Sequence, residues 1–444
     1  MAQEPAPPPR LELAAVLPDL PGAEIIAIQA GTRRAVLTLG AAGAVEILDL
    51  ATPEHPRSLG RVELGLARGE ELTSVALPPQ GDWFLAVVKA DGARAPGRAL
   101  VHALDGGKRL AEFACGVSPD SVSIEPGGRF ALIANEAEGY ERVDGELRSA
   151  PGSLTRIELA ADVARSRVTQ IALDPALVAP DERGRGRRIE RKVDGVELEL
   201  PLENTPDGLE PEVIAFFPPE EGKGARALVT LQENDAVAVI DVAGARLERY
   251  FPLGEITHPA DLFEDGHFEE RGLLCARREP DGIAVGPGGR WFVTADEGDT
   301  VPNAQRTPAG EPAGGGRSLS VFDAGSGAWL GDTGPELDRL AAAHDLYPDK
   351  RSAQKGSEPE MVLVLELGST PYAAVTLERA GALALVDLSD PAHPHAVALA
   401  PVGSRHWQDE PEGLAHFRDP RDGRDYLYVA NEGTGTLGVL RVLR

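Results

Sequence analysis

Carboxylates recur at two fixed places along this sequence. One set opens a short apolar run: Glu24, Asp120, Glu212, Asp281, Glu360 and Glu412, with Thr73 at that place in one unit. The other closes the next apolar run: Glu136, Glu233, Glu297, Glu378 and Glu432, with Lys89 once. Asn135, Asn234, Asp296, Asp299 and Asn431 stand beside or near them as further oxygen donors. Oxygen ligands without clustered His or Cys suit hard divalent cations, Ca²⁺ before Mg²⁺, rather than zinc or copper. The ligands expected for such an ion are Asp120, Glu136, Glu212, Glu233, Asp281, Glu297, Glu360, Glu378, Glu412 and Glu432. Two carboxylates about 4 Å apart repel by about 4 kcal/mol at an effective dielectric near 20. Raised pKa values, backbone N–H donors or bound cations can relieve that repulsion. Acids at turns commonly take the second route, which is the plainer alternative to a metal.

Other motifs carry less. Asp49, Asp241, Asp323 and Asp387 each end an apolar run, as turn-starting aspartates do by accepting from nearby backbone N–H groups. Asp390-Pro-Ala-His393-Pro-His395 is a turn with two histidines. His406-Trp407 precedes Glu410-Pro-Glu412 closely enough to approach the same region, which makes His406 a candidate general base. Gly314-Gly-Gly316 lacks the strand-to-helix setting of a phosphate loop, and Gly-x-Ser-x-Gly is absent.

The elements that position these acids repeat. Each unit is an acid, a short apolar strand, a Pro/Gly turn, a second strand, an acidic turn and a third strand. Pro280-Asp281-Gly-Ile-Ala-Val, Gly-Pro-Gly-Gly-Arg and Trp291-Phe-Val-Thr-Ala-Asp-Glu297 form the clearest copy; Pro119-Asp120 to Glu136 and Pro411-Glu412 to Glu432 are others. Seven copies of about 50 residues, discounting insertions, predict an all-β, single seven-bladed β-propeller. First strands line the channel of such a fold, so both acid sets are expected at one mouth. The last unit lacks an outer strand, and Arg10-Leu-Glu-Leu-Ala-Ala-Val-Leu is expected to supply it, closing the ring and removing a sheet edge.

The chain has 444 residues, 71 acidic and 44 basic, for a net charge of −27. A surface this negative disfavours nucleic acid and anionic membranes as partners. Gly 50 and Pro 37 suit many turns better than a helical bundle. No apolar stretch is long enough to span a membrane. Residues 1–9 are expected to be a disordered, Pro-rich start, resembling a mature secreted N-terminus without its signal peptide, and 10–444 the propeller, expected to be monomeric. Insertions fall at about 140–208, 300–316 and 335–357. The first holds Arg183-Gly-Arg-Gly-Arg-Arg-Ile-Glu-Arg-Lys192, a solvated loop or a segment that docks on the acidic face. The last is expected to carry one short helix. A bridge between Cys115 and Cys275 would require Cα atoms within about 7 Å.

Taken in order, Gly208-Leu-Glu-Pro-Glu-Val-Ile-Ala, Glu279-Pro-Asp-Gly-Ile-Ala, Gly356-Ser-Glu-Pro-Glu, Tyr372-Ala-Ala-Val-Thr-Leu-Glu-Arg-Ala-Gly and Val429-Ala-Asn-Glu-Gly-Thr-Gly-Thr resemble the choice-of-anchor I family. The sequence departs from it at Ala295-Asp-Glu-Gly, where Ala-Asn-Glu-Gly is usual, and at the Arg-rich insertion. The resemblance implies an exported propeller, periplasmic or extracellular, sometimes fused to phosphatase or nucleotidase domains and often labelled alkaline phosphatase-like. Its acid-rich face has a distant likeness to calcium-laden propeller phytases. Two functions follow as expectations. The first is a binding or scaffold module holding divalent cations for an extracellular partner or small ligand. The second is a metal-dependent phosphoester hydrolase in which Glu297 or Glu432 orients water, with a lactonase as a weaker variant.

Overall fold

In the second strand Phe130–Asn135 every residue is buried, and Phe84–Val88 is equally covered. Such strands show no polar alternation because both of their faces are packed. The computed structural model describes residues 7–139, 141–148, 150–174, 188–193, 196–201, 209–298 and 315–444. Seven four-stranded antiparallel sheets account for most of them.

We number the sheets as blades 1–7 by their inner strands: Ala23–Gln29, Glu71–Ala76, Pro119–Ile124, Pro211–Phe216, Ile283–Val285, Pro359–Leu367 and Pro411–Arg418. Apolar clusters lie between consecutive blades. Val36, Val45 and Ile47 of blade 1 pack on Leu72, Val75 and Phe84 of blade 2, and Leu383 and Leu385 of blade 6 pack on Leu427 and Val429 of blade 7. The protein is therefore an all-β, seven-bladed β-propeller. Arg10–Leu17 pairs antiparallel with Thr436–Leu443, so the N-terminal strand completes blade 7 as its sequence suggests.

Three further hairpins interrupt the ring: Glu141–Val143 with Glu146–Arg148, Arg188–Val193 with Val196–Pro201, and Glu255–Ala260 with Gly272–Arg277. Residues 1–6, 183–187 of the Arg-rich run, Asp299 and most of the 300–316 insertion lie outside the described residues. The 335–357 insertion carries the helix α1 (Glu336–Ala343). Cys115 and Cys275 are both free thiols.

Candidate functional site

Six inner strands share one local irregularity. Their pairing with the second strand skips between Ala23 and Ile26, Leu72 and Ser74, Pro119 and Val122, Pro211 and Ile214, Pro359 and Val362, and Pro411 and Leu414. Glu24, Thr73, Asp120, Glu212, Glu360 and Glu412 sit inside these bulges, so they lie within the strands rather than before them; only Asp281 precedes its strand. A bulge turns a side chain out of the regular pleat and leaves an N–H unpaired. Threonines of the second strand take up that N–H: Ile25, Val213 and Met361 donate to the hydroxyls of Thr38, Thr230 and Thr376 at 2.8, 2.9 and 2.8 Å.

Neighbouring bulges are stitched together. Gly282 donates its N–H to the carbonyl of Glu360 at 3.0 Å, and Ser121 donates its hydroxyl to the carbonyl of Glu212. A Cβ on Gly413 would lie 2.1 Å from the carbonyl oxygen of Glu24, and one on Gly282 would lie 2.5 Å from that of Glu360. This close approach explains the glycine of the Pro-acid-Gly pattern, which brings successive acids side by side around the channel.

The inner acids respond to one another across blades. Burial, then Glu432, Asp120 and Glu71, push Glu24 up to about 8. Burial and Glu297 push Asp281 up to about 8, with Asp120 contributing from two blades away. Asp120 rises to about 6, chiefly through burial and against the pull of Lys89. Glu212, Glu360 and Glu412 are also raised, first by burial and then by neighbouring carboxylates. Carboxylate oxygens of Asp281 and Glu360 lie within 4.8 Å of each other, which crowds two negative charges together. The inner acids of successive blades thus lie near enough to perturb one another.

The second set divides. Glu136, Glu297 and Glu378 face the inner acids, and burial raises all three, Glu378 to about 8. Glu233 lies close enough to raise Glu212. Glu432 is exposed, although its charge still reaches Glu24 and Glu412. The oxygen donors read beside them mostly point elsewhere, because successive strand residues face opposite sides. Asn135 bonds Ser153, Thr155 and the N–H of Gly116. Asp296 accepts from Thr294, Ser318 and Ser320 at 2.7, 2.6 and 2.5 Å, and Asn431 donates to Val402 and Thr436. Asp296 ties strands within blade 5, while Asn135 and Asn431 also reach back to Gly116 of blade 2 and Val402 after the outer strand of blade 6. Asn234 is buried at the end of the corresponding strand in blade 4.

Lys355, from the 335–357 insertion, is the main residue the sequence reading missed. Its ammonium bonds Glu297 and lies 3.1 Å from Glu358. Gln232 also donates to Glu297. Glu358 further receives Arg351 at 2.8 Å and Arg379 at 3.5 Å, while Arg379 reaches Glu378 and Glu410 at 2.8 and 2.7 Å. These cations hold Glu358 below the usual carboxylate range despite its burial. Lys89, expected at the mouth, pairs with Glu138. Arg379, placed at the mouth by its position after Glu378, bonds there as expected, whereas Arg351 and Lys355 come from an insertion, where repeat spacing gives no signal.

Oxygens of Asp281, Glu297 and Glu360 all lie within 4.8 Å of one another, as do those of Glu297, Glu358 and Glu378. Glu212 Oε2 and Glu360 Oε2 are buried without a hydrogen-bond partner. An all-oxygen donor set with unsatisfied buried lone pairs fits a hard cation. His406 is exposed in a short turn, and His393 bonds Asp390 at 2.8 Å on the surface. Asp49, Asp241, Asp323 and Asp387 accept turn N–H groups as expected.

Fold and mouth together define a β-propeller with an acidic channel opening. The choice-of-anchor I domain matches residues 24–312 and 312–391, and the chain belongs to that family. Curated proteins give no match. Among solved structures, Kuenenia stuttgartiensis hydrazine synthase is similar at 14% identity and TM-score 0.57, covering 95% of this chain and 96% of that one. The Myceliophteria thermophila Cps50 (Swd1) β-propeller domain is similar at 12% identity and TM-score 0.53, covering 96% and 98%. A chain of a mitotic checkpoint complex is similar at 10% identity and TM-score 0.56, covering 100% and 99%. At these identities the likeness concerns the fold alone. Among the described residues no helix is long and apolar enough to cross a membrane.

Proposed function

We propose that this chain is an exported binding module that holds a divalent cation, Ca²⁺ fitting best, on the neighbouring acids of blades 5 and 6. Membership of the choice-of-anchor family supports export. The observation that carries the cation is the group of oxygens from Asp281, Glu297 and Glu360, all within 4.8 Å of one another, with Glu360 Oε2 buried and unpartnered. A bound ion would satisfy that oxygen and relieve the crowding of Asp281 and Glu360. Lys355 already compensates Glu358 and one side of Glu297, so the ion would belong to Asp281, Glu297 and Glu360 rather than to all ten carboxylates. The hydrolase reading has no comparable support, since Glu297 is engaged by Lys355 and Gln232 while Glu432 and His406 are exposed.

The test is calorimetric titration of chelator-treated protein with CaCl₂, alongside thermal melting. A dissociation constant within about 0.1–1 mM, the range of extracellular calcium modules, is expected, with a higher melting midpoint in calcium. Asp281→Asn and Glu360→Gln should each weaken the titration at least tenfold. Absence of both heat and midpoint shift at about 10 mM calcium, ten times the weakest constant expected, would refute the reading.

A further inference from the structure

Near Glu378 and its partner Arg379, the connection from blade 6 to blade 7 and the turn before the third strand of blade 7 line an open pocket of about 610 Å³. Trp407 lines it and is 61% exposed. Ser404, Arg405, Gln408, Glu410 and Thr434 supply hydroxyl, guanidinium, amide and carboxylate groups around it.

A tight turn fixes the backbone that carries the indole. Asp409 donates its N–H to the carbonyl of His406 at 2.8 Å, and its own buried carboxylate accepts Arg405 N–H and the Thr434 hydroxyl, each at 3.0 Å. His406 adopts φ of 51°, a region costly for residues with a Cβ, and the bonds of Asp409 hold it there. Arg379 fixes the Glu410 carboxylate at 2.7 Å. A Cβ on Gly433 would lie 2.5 Å from both Gln408 O and Glu410 Oε2, so a glycine keeps the two cavity walls together.

We propose that this cavity binds a neutral pyranoside, with one sugar face stacked on Trp407 and its hydroxyls bonded to Gln408, Glu410 and Thr434. A pyranose offers an apolar C–H face and a rim of hydroxyls, matching a wet indole ringed by donors and acceptors. The acidic wall and the net charge of −27 disfavour uronic acids and other anionic sugars. Binding here requires no metal, so its outcome is independent of the calcium titration.

The experiment titrates the full chain in EDTA with cellohexaose, maltohexaose, xylohexaose and chitohexaose, using polygalacturonate as the anionic control. At least one neutral oligosaccharide is expected to bind with a dissociation constant near about 1 mM or tighter. Trp407→Ala should weaken it at least tenfold and Gln408→Ala severalfold, while Trp407→Phe keeps part of the affinity and all three variants keep the parent melting midpoint. No binding by any neutral probe, undiminished binding in Trp407→Ala, or preference for polygalacturonate would overturn the proposal.

Discussion

Glu378 donates its backbone N–H to the carbonyl oxygen of Glu358 at 2.8 Å. The same bond joins Glu136 to Ser118 at 2.9 Å and Glu432 to Glu410 at 3.0 Å. In each case the acceptor is the residue before a proline and has positive φ: 60° at Glu358, 44° at Ser118 and 47° at Glu410. Main-chain geometry thus sets the distance between the two acids of a blade, and their carboxylates contribute nothing to that spacing.

Neutralising single acids should therefore leave the ring intact. Glu212→Gln and Glu412→Gln are expected to fold normally and to melt a few degrees higher than the parent at pH 8 in EDTA, because each removes a crowded buried charge. Differential scanning calorimetry checks this; a lower midpoint in both would show that these carboxylates are structural.

Stability without metal should fall as pH rises. Glu24, Asp281 and Glu378 are raised to about 8 and Asp120 to about 6, against ordinary values of 4.5 for Glu and 3.8 for Asp. Between about pH 4 and 8 the folded state therefore binds more protons than the unfolded chain, and the unfolding free energy declines over that interval. Asp419 is lowered to about 2 and Asp425 is also lowered. Their stabilisation is present above pH 4 and is lost as pH falls through their folded values. Melting curves in EDTA should peak at about pH 4, and calcium should flatten the decline toward pH 8.

Lys355→Met should cost about 3–5 kcal/mol, because it leaves Glu297 and Glu358 buried opposite a missing partner. Pairing it with Glu297→Gln should recover part of the loss. Urea unfolding of both variants measures this, and equal stability of the single and double variants would contradict it.

Gly413→Ala should destabilise by about 1–3 kcal/mol through overpacking against the carbonyl of Glu24. The strain falls between blades 7 and 1, so faster exchange of amides in Ala23–Gln29 should accompany it. An unchanged denaturation midpoint would mean that the blades separate freely there.

Much of this arrangement was legible in the sequence because it rests on repetition. Pro-acid spacing marked five of the seven inner strands, and the unpaired last unit called for Arg10–Leu17. Asn135, Asp296 and Asn431 were misassigned as channel ligands because adjacent strand residues face opposite ways, a period-two rule that could have separated them. Lys355 could not be found this way: its position depends on how a non-repeating segment folds back between blades 5 and 6. The positive φ before proline was equally hidden, since residues in that position ordinarily favour extended backbone.

The pairing of Arg10 with Leu443 has a mechanical consequence. Polypeptide attached at either end would leave from one corner, on the side of the disc turned away from the carboxylates. A tether there would present the charged opening outward. Tension between the two ends would peel the seam one bond after another, instead of loading all its bonds at once, making this junction the first place the ring opens under force.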